Sequence, residues 1–361
     1  MQTLRLSADP AYLDSSASRQ AIAQAAEVLR QGGTVAFPTE TVYGLGANAL
    51  SADAVAKIFA AKERPGWDPI IVHIGDLALL DRVAATVPLA RTAATVSENA
   101  RALMDAFWPG PLTLLLPKHP GIPESVTAGR PLVGVRMPAH PVALALLRAA
   151  GVPVAAPSAN RFGRTSATTA EHVAQDLEGR IDAILDGGPT THGVESTVLE
   201  VRDGGCTIFR PGVISIEQIR AVAGGEVTQL GADAEQKESA GQGAVAPGLG
   251  IRHYAPRARL VLVEGEGPAL QTVFAATARA LEEPGETIGL LLPAGFPQGA
   301  DRAHVFAWGN WDDLDELARR LFAGLRWLDA QGATVIVCPM PPGQGIGVAL
   351  RDRLRKAARP R

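Results

Sequence analysis

Cysteine is scarce in this chain of 361 residues, which contains only Cys206 and Cys338. The two lie far apart in apolar stretches, so neither a disulfide framework nor a cysteine metal site is indicated. We expect both thiols to be buried, in a protein of a reducing compartment. The seven histidines form no HExxH motif and no cluster with metal-ligand spacing, which argues against a zinc enzyme.

The chain also lacks a long apolar run and an export signal. The stretch 141–157 is interrupted by Arg148 and is too short to cross a bilayer. The opening segment, MQTLRLSADPAYLDSS, has none of the basic, apolar and small-residue order of a secretory signal. We therefore expect a cytoplasmic protein with no membrane contact.

Charge is nearly balanced, with 34 Lys and Arg against 37 Asp and Glu and a net charge of −3. A molecule of this charge is not an obvious nucleic-acid binder. Lysine is rare beside arginine, and the few lysines are Lys57, Lys62, Lys118, Lys237 and Lys356. The last segment, RDRLRKAARPR, carries six basic groups and one acid. We interpret it as a solvated helix end, with an RNA-contacting tail as the alternative.

The length predicts two domains at about 150 residues each, and the pattern along the chain agrees. Residues 18–210 alternate helical and extended patterns, and 231–250 are polar, rich in Gly and Ala, and typical of a linker. A second α/β unit follows. The predicted helices are Arg19–Gln31, Ala52–Lys62, Ser215–Ala223, Ala269–Leu281, Asp312–Ala330 and one beginning near Ile346. The predicted strands are TVAFPTET, DPIIVHI, PLTLLLP, LVGVRMP, VPVAAPS, AILDGG, STVLEVR, RLVLVEG, TIGLLLP, HVFAW and TVIVCPM.

These patterns predict a mixed α/β domain with one central sheet, followed by a small Rossmann-like α/β domain. Familiar nucleotide and hydrolase motifs are absent. There is no GxxxxGK[ST], GLGANA at Gly44 is an incomplete dinucleotide fingerprint, and neither APSAN nor GVEST forms a GxSxG elbow. We interpret GQGIG at Gly343 as a tight strand-to-helix turn rather than a phosphate site.

Polar residues concentrate where the predicted strands of the first domain begin or end. They are Thr39, Glu40, Thr41, Tyr43, Ser158, Asn160, Glu195, Ser196, Thr197 and Arg210. Lys62 and Arg64 stand at a helix end before Pro65, where they could grip a triphosphate together or simply be solvated charges of a helix cap.

Arg136 lies within an apolar strand, and a buried arginine is costly unless an anion meets it. An internal carboxylate and a ligand carboxylate both satisfy that requirement. His73 in IIVHI is also a polar residue in an apolar strand, but it indicates a ligand site more weakly. A histidine in a strand is more often a core residue whose hydrogen bonds are satisfied within the protein. A cleft with cations and hydroxyls but no nucleophile suits nucleotidyl transfer. Mg²⁺ is then expected, held by substrate phosphates and water with no protein side chain as ligand.

A series of motifs resembles the threonylcarbamoyl-AMP synthase family in its long form. In chain order they are FPTETVYGLGANA, AKERP, WPGPLTLLLP, VTAG, VRMPAHP, APSAN, DGG with GVESTV, FRPG and HYAP. The matching motifs lie close together over residues 18–212, and HYAP is a further match later in the chain. The resemblance implies a YrdC-like catalytic domain with a twisted mixed sheet over 12–212, a linker that covers the active site over 213–257, and a C-terminal Rossmann-like domain over 258–361.

The resemblance also implies the reaction. Members of the family condense L-threonine, bicarbonate and ATP into threonylcarbamoyl-AMP and pyrophosphate, and act as L-threonylcarbamoyladenylate synthases, a kind of nucleotidyltransferase. A downstream threonylcarbamoyl-transferase complex then modifies the tRNA adenosine next to the anticodon, forming t(6)A. There are two alternatives: a carbamoyl-adenylate module of hydrogenase maturation proteins, whose accompanying domains are missing here, and a non-catalytic RNA-binding protein.

By the resemblance, each matching motif contributes named residues to the site. Threonine would be bound by Thr41, His73, Arg136, Ala156 and Ser196. ATP would be bound by Lys62, Arg64, Asp68, Leu132, Ser158, Asn160, Ser166, Arg210 and Tyr254. Lys62 and Arg64 would be the catalytic cations, and Tyr254 would reach the nucleotide from the linker. Asp68 departs from the family's usual Asn, and an acid near a triphosphate needs magnesium or a neighbouring cation.

Overall fold

The computed structural model describes residues 2–85, 97–202, 204–230 and 253–360. The predicted polar linker segment, 231–250, lies outside the described residues. The chain forms two compact units. The first contains the described residues up to 162, together with 167–191 and 195–230, and the second contains 163–166, 192–194 and 253–360.

A mixed sheet of eleven strands runs through the first unit. Its strands are β1 (Leu4–Ser7), β2 (Val35–Phe37), β3 (Gly44–Asn48), β4 (Val72–His73), β5 (Leu112–Pro117), β6 (Leu132–Arg136), β7 (Val154–Ala155), β8 (Ala183–Asp186), β9 (Thr197–Arg202), β10 (Gly205–Arg210) and β11 (Glu226–Gln229). Their order across the sheet is β1-β8-β2-β3-β7-β4-β6-β5-β9-β10-β11. Strand β5 is antiparallel to β6 and parallel to β9. The predicted mixed α/β fold with one central sheet is confirmed.

Helices cover the sheet of the first unit. They are α1 (Ser16–Arg30), α2 (Ala52–Lys62), α3 (Glu98–Phe107), α4 (Glu124–Thr127), α5 (Pro141–Ala150), α6 (Ala170–Leu177) and α7 (Ile216–Val222), with a 3₁₀ helix at Leu77–Arg82. Helix α2 has the predicted bounds. The Ser51 side chain accepts a hydrogen bond from the Ala54 amide at its start, and Glu63 takes the left-handed conformation after its end, with φ 55°. Pro65 then prevents continuation of the helix.

The central strands are buried on both faces. In β2, Val35 and Phe37 pack with α1 and α5 on one side, whereas Ala36 joins the core on the other side. Alternate residues of a strand face opposite sides of the sheet, so both layers of core are apolar. Strands covered on both faces have continuous apolar sequences, which is why short runs of branched residues predicted them.

The first predicted strand was too long. The run TVAFPTET predicts an extended segment through residue 41, but β2 ends at Phe37. Pro38 has no amide hydrogen to donate to a strand partner. The Thr39 hydroxyl then donates to the Val42 carbonyl at 2.6 Å, which closes a turn. Residues 38–43 therefore form a polar loop between β2 and β3.

The second unit is a small α/β domain with a parallel sheet of four strands. Its elements are β12 (Arg259–Val263), α8 (Gly267–Ala280), β13 (Ile288–Pro293), β14 (His304–Gly309), α9 (Leu314–Ala330), β15 (Val335–Pro339) and α10 (Gly347–Ala357), and the strand order is β12-β15-β13-β14. GQGIG connects β15 to α10, with Gly345 at φ 53°, as predicted for a tight turn. The expected small Rossmann-like domain is confirmed.

The basic C-terminal segment is not simply solvated, and this prediction was wrong for two of its cations. Arg353 is fully buried and Lys356 is 1% exposed. Both form ion pairs with Asp352, that of the Lys356 ammonium at 2.9 Å. Burial alone would raise the pKa of Asp352, but the two cations outweigh it and the pKa is lowered. Helix α10 therefore carries a compact buried charge cluster.

Two further expectations concern the apolar parts of the chain. Cys206 and Cys338 are both buried free thiols, as predicted. Within the described ranges, no helix has the length and apolar character needed to cross a membrane.

Replacing Asp352 by Asn should lower the free energy of unfolding by about 3 kcal/mol, because both buried cations lose their shared carboxylate. The matched control is Glu264→Gln, whose exposed carboxylate pairs with Arg351 and Arg355 and should change stability by less than about 1 kcal/mol. Urea unfolding of the three proteins measures both values. Equal losses in the two variants would contradict the expectation.

Candidate active site

The Arg136 guanidinium is held by groups from two other segments of the first unit. Arg136 is 4% exposed and ends β6. Its Nη1 donates to Thr41 Oγ1 at 2.9 Å, and its Nε donates to the Gly110 carbonyl at 3.2 Å. Its Nη2 lies 2.5 Å from Glu40 Oε1 in an ion pair. Of the two anions that the sequence left open, the structure contains the internal carboxylate.

Glu40 is charged despite its burial. Loss of solvation would raise its pKa, but the adjacent Arg136 guanidinium and the Ala139 amide, which donates to Oε2 at 3.1 Å, bring the pKa below its usual value. The neighbouring hydroxyls of Thr39 and Thr41 are 2.8 Å apart. The loop after β2 thus supplies a carboxylate and two hydroxyls to one buried polar cluster.

A second cluster surrounds Ser196, which precedes β9. The Ser196 hydroxyl lies 2.8 Å from Thr113 Oγ1 and accepts from Arg210 Nη2 at 3.1 Å. Arg210 also donates to the Ser196 carbonyl. Residues 110–113 contact both clusters, since Gly110 binds Arg136 and Thr113 binds Ser196. The parallel pairing of β5 with β9 brings these two clusters near each other.

Lys62 is buried at the end of α2, with 1% exposure. Its ammonium donates to the carbonyls of Ser158 and Asn160, the first at 2.5 Å. The same loop is fixed from the other side by the Ala159 amide, which donates to the Tyr43 carbonyl at 2.7 Å. Carbonyl acceptors orient an ammonium without cancelling its positive charge. The structure thus brings together three of the predicted nucleotide residues.

Arg64 and Asp68 form a buried ion pair with 2.9 Å between Nη2 and Oδ2. Arg64 also donates to the carbonyls of Asp68 and Pro69 and lies 5.9 Å from the centre of the Phe162 ring. The acid that replaces the family's usual Asn therefore meets a neighbouring cation. Arg64 is consequently not a solvated helix-end charge.

The remaining threonine-site residues of the prediction follow the sheet register. His73 pairs with Arg136 across β4 and β6, and the Ala156 amide donates to the Ile71 carbonyl at 2.8 Å. Burial, and next the Arg136 charge, lower the pKa of His73 to about 3. Its Nδ1 has no hydrogen-bond partner within the described part of the chain, and backbone hydrogen bonds at Ile71 and Val154 offset only part of the lowering of its pKa.

The other predicted residues lie elsewhere. Leu132 begins β6 and pairs with Pro117, at the end of the strand opposite to Arg136. Tyr43 does not join the polar clusters, because its hydroxyl donates to the Gly188 carbonyl at 2.7 Å. Ser166 and Tyr254 belong to the second unit and are both buried there.

Residues that the sequence prediction did not assign to the site complete these clusters. They are Glu40, Gly110 and Thr113. Each lies inside one of the family motifs, FPTETVYG or WPGPLT, and Glu40 is one of the polar residues that follow a predicted strand. The contacts themselves join residues distant in sequence, so the motifs alone did not assign these roles.

The arrangement offers cations, hydroxyls and backbone carbonyls around buried positions. Across the residues that the structure describes, no group of three or more His, Cys, Asp or Glu side chains could hold a metal ion. Such an arrangement can bind and orient anionic substrates and stabilise developing negative charge.

Comparison with known proteins identifies both parts of the chain. Residues 27–212 match the family model described as "Telomere recombination" (Sua5, YciO and YrdC), and residues 214–359 match "Threonylcarbamoyl-AMP synthase, C-terminal domain". The chain is 43% identical to the threonylcarbamoyl-AMP synthase of Bacillus subtilis, over 93% of this chain and 92% of that protein. It is 41% identical to the enzyme of that name from Pyrococcus abyssi, over 92% and 93% respectively.

A solved structure agrees with these relatives. The crystal structure of P. abyssi Sua5 complexed with L-threonine matches with a TM-score of 0.88 and 40% identity, over 99% of this chain and 98% of that one. The fold and these matches define an α/β enzyme of the nucleotidyltransferase type. The chain belongs to the threonylcarbamoyl-AMP synthase family, and the resemblance in its motifs is thereby confirmed.

The free energy of unfolding should fall as the pH decreases from 6.5 toward 3, in part because of His73. Its folded-state pKa of about 3 lies below the ordinary value of 6.5, so the unfolded chain binds a proton over this pH range that the folded chain does not bind. Between pH 7 and pH 5 this difference lowers the free energy of unfolding by about 2 kcal/mol. Urea unfolding should show that His73→Gln loses less stability over this interval than the parent protein. Parallel losses would count against a buried neutral imidazole.

Proposed function

We propose that this protein condenses L-threonine, bicarbonate and ATP into threonylcarbamoyl-AMP with release of pyrophosphate. The observation that carries the proposal is the buried Arg136 cluster, because it offers a guanidinium and hydroxyls where the family motifs predict the threonine site. The similarity over nearly the whole chain to named threonylcarbamoyl-AMP synthases supports the same activity.

Threonine would bind through its carboxylate at Arg136. A guanidinium has five N–H donors, and the contacts to Gly110, Thr41 and Glu40 account for three of them. The other donors suit a ligand carboxylate, since arginine binds such groups through two parallel hydrogen bonds. The hydroxyls of Thr41 and Ser196, the His73 ring and the Ala156 backbone would line the same pocket.

ATP would bind through the cations and the loop after β7. Lys62 and Arg64 would act on the phosphates together with Ser158, Asn160, Ser166 and Arg210, while the Leu132 backbone and Tyr254 would approach the nucleotide. The Lys62 ammonium is already oriented by the carbonyls of Ser158 and Asn160. Asp68 would act through Arg64, with which it is paired. Ordering these charges before binding reduces the reorganisation needed in the transition state.

The reaction then needs no covalent enzyme intermediate. The threonine nitrogen attacks the bicarbonate carbon, and a carbamate and water are formed. A carbamate oxygen next attacks the α-phosphorus of ATP, the bond to the β-phosphate oxygen breaks, and pyrophosphate leaves. Lys62 and Arg64 stabilise the charge that develops on the leaving group.

Mg²⁺ fits this site as a companion of the triphosphate. Phosphate oxygens and water are the hard ligands that Mg²⁺ prefers, and the Asp68 carboxylate is buried in an ion pair with Arg64. We therefore assign no protein ligand to the ion, which would neutralise phosphate charge when bound. The cytoplasmic location and the transfer of the product by a downstream complex to tRNA are part of the same proposal.

The test is pyrophosphate release from ATP and Mg²⁺, with threonine and bicarbonate each present or omitted. We expect release only when both are present. Release without threonine would instead support carbamoyl-adenylate formation or a general ATPase. No release under any of these conditions would contradict the proposal.

Replacing Lys62 by Gln should lower kcat by about tenfold to a hundredfold, because charge stabilisation in the transition state is lost, and should leave the KM for threonine within about twofold. The matched control is Lys57→Gln. Lys57 lies on the same helix, and its exposed ammonium donates to the Gly32 carbonyl at 2.8 Å. Steady-state kinetics of both variants provide the comparison. Normal turnover of the Lys62 variant would exclude its catalytic role.

A further inference from the structure

One face of helix α9 contacts three separate segments of the second unit. Ala318, Phe322 and Arg326 are spaced four residues apart in α9 and therefore lie on the same side of the helix. We call these three residues the α9 stripe. The segments that it contacts are 163–166, 192–194 and the HYAP motif at 253–256.

Arg326 fixes the backbone of the first segment. Its Nη2 donates to the Thr165 carbonyl at 2.6 Å, and its Nε donates to the Ser166 carbonyl at 3.2 Å. Ser166 is fully buried and Arg326 is 9% exposed. Hydrogen bonds from a charged donor in such surroundings are stronger than neutral ones. Arg326 thus holds two consecutive peptide groups at the position of Ser166.

Phe322 supports the HYAP motif through Tyr254. The two rings stack with 5.8 Å between their centres and 28° between their planes, and the Arg353 guanidinium lies 5.0 Å from the centre of the Tyr254 ring. Tyr254 has φ 63°, a left-handed conformation that is unfavourable for a bulky residue unless its surroundings enforce it. The next residue links the two segments, because the Ala255 amide donates to the Gly163 carbonyl at 2.9 Å.

Ala318 contacts the third segment through its backbone. A Cβ on Gly193 would lie 2.5 Å from the Ala318 carbonyl oxygen, and Gly193 has φ 74°. Only glycine permits this close approach in this conformation. Ser196 of the proposed threonine site follows three residues later in the chain.

We propose that the α9 stripe positions the nucleotide-binding residues, with Arg326 and Phe322 as positioning residues for ATP. The inference rests on the proposed function, in which Ser166 and Tyr254 contact the nucleotide. The two residues come from segments far apart in sequence, and the stripe fixes both relative to one rigid helix. Ordering them before ATP arrives reduces the entropy lost on binding. The C-terminal domain thereby acquires a role in substrate binding.

The same helix offers a matched arginine for the test. Arg320 donates from Nε and Nη2 to the Ala307 carbonyl, at 3.1 and 2.6 Å, within the second unit's own sheet. Arg326→Gln and Arg320→Gln both remove an arginine that donates to backbone carbonyls. Only the first variant releases a segment that contains a proposed nucleotide residue.

The experiment measures KM and kcat for each substrate in both variants, alongside urea unfolding. We expect Arg326→Gln to raise the KM for ATP about fivefold to tenfold, as for the loss of hydrogen bonds from a charged donor. The KM for threonine should change by less than about twofold. Arg326→Lys should restore part of the ATP affinity, because lysine keeps the charge but not the fork geometry. Arg320→Gln should leave both KM values unchanged.

An unchanged KM for ATP in a folded Arg326→Gln variant would overturn the inference, and so would an equal change in the Arg320 variant. If the Arg326 variant does not fold, amide exchange of the parent protein decides the question. Binding of ATP with Mg²⁺ should slow exchange in segment 163–166 and along the α9 stripe, and unaltered exchange there would reject the positioning role. Loss of the substrate dependence of pyrophosphate release in the parent protein would count against the proposed function instead, so the two failures are distinguishable.

Discussion

The burial of the Arg136 guanidinium is the constraint on which the site of the first unit depends. An arginine with 4% exposure at the end of a central strand loses most of its solvation by water. Glu40, Thr41 and the Gly110 carbonyl offset that loss, and they come from the loop after β2 and from the segment before β5. The guanidinium therefore fixes two segments relative to β6. Residues 110–113 extend the same network to Ser196 and Arg210.

The other buried cations are supported differently, and the difference suits their proposed roles. The Lys62 ammonium donates to the backbone carbonyls of Ser158 and Asn160, which orient it toward the loop after β7. Arg64 contacts a carboxylate, and Asp68 thus moderates its charge. In the second unit, Arg326 donates hydrogen bonds to the peptide carbonyls of Thr165 and Ser166 and thereby fixes a segment of backbone. The buried arginines and lysine thus stabilise the local structure and are also candidates for substrate binding.

The sequence predicted whether a segment forms a helix or a strand more reliably than it predicted the first and last residues of that segment. Helix α2 was predicted with its observed bounds because its apolar positions have helical spacing and Pro65 follows its end. The strand after α1 was overextended, since the turn made by the Thr39 hydroxyl depends on a side-chain contact. Helices α3, α4, α5 and α6 were not assigned. Helix α5 is rich in Ala and Leu and adjoins β7, and such apolar sequences do not distinguish a buried helix from a strand by periodicity.

The sequence by itself determined the family, the α/β class and the motifs that supply the site, because those depend on local residue order. It also determined that Arg136 needs an anion, since the cost of burying a charge is general physical chemistry. Only the tertiary structure decided that Glu40 is that anion, that Asp68 pairs with Arg64, and that Arg353 and Lys356 are buried. The same holds for the α9 stripe and the segments it contacts. These pairings join residues whose distance in space is set by strand order and helix packing, which no local pattern of residues specifies.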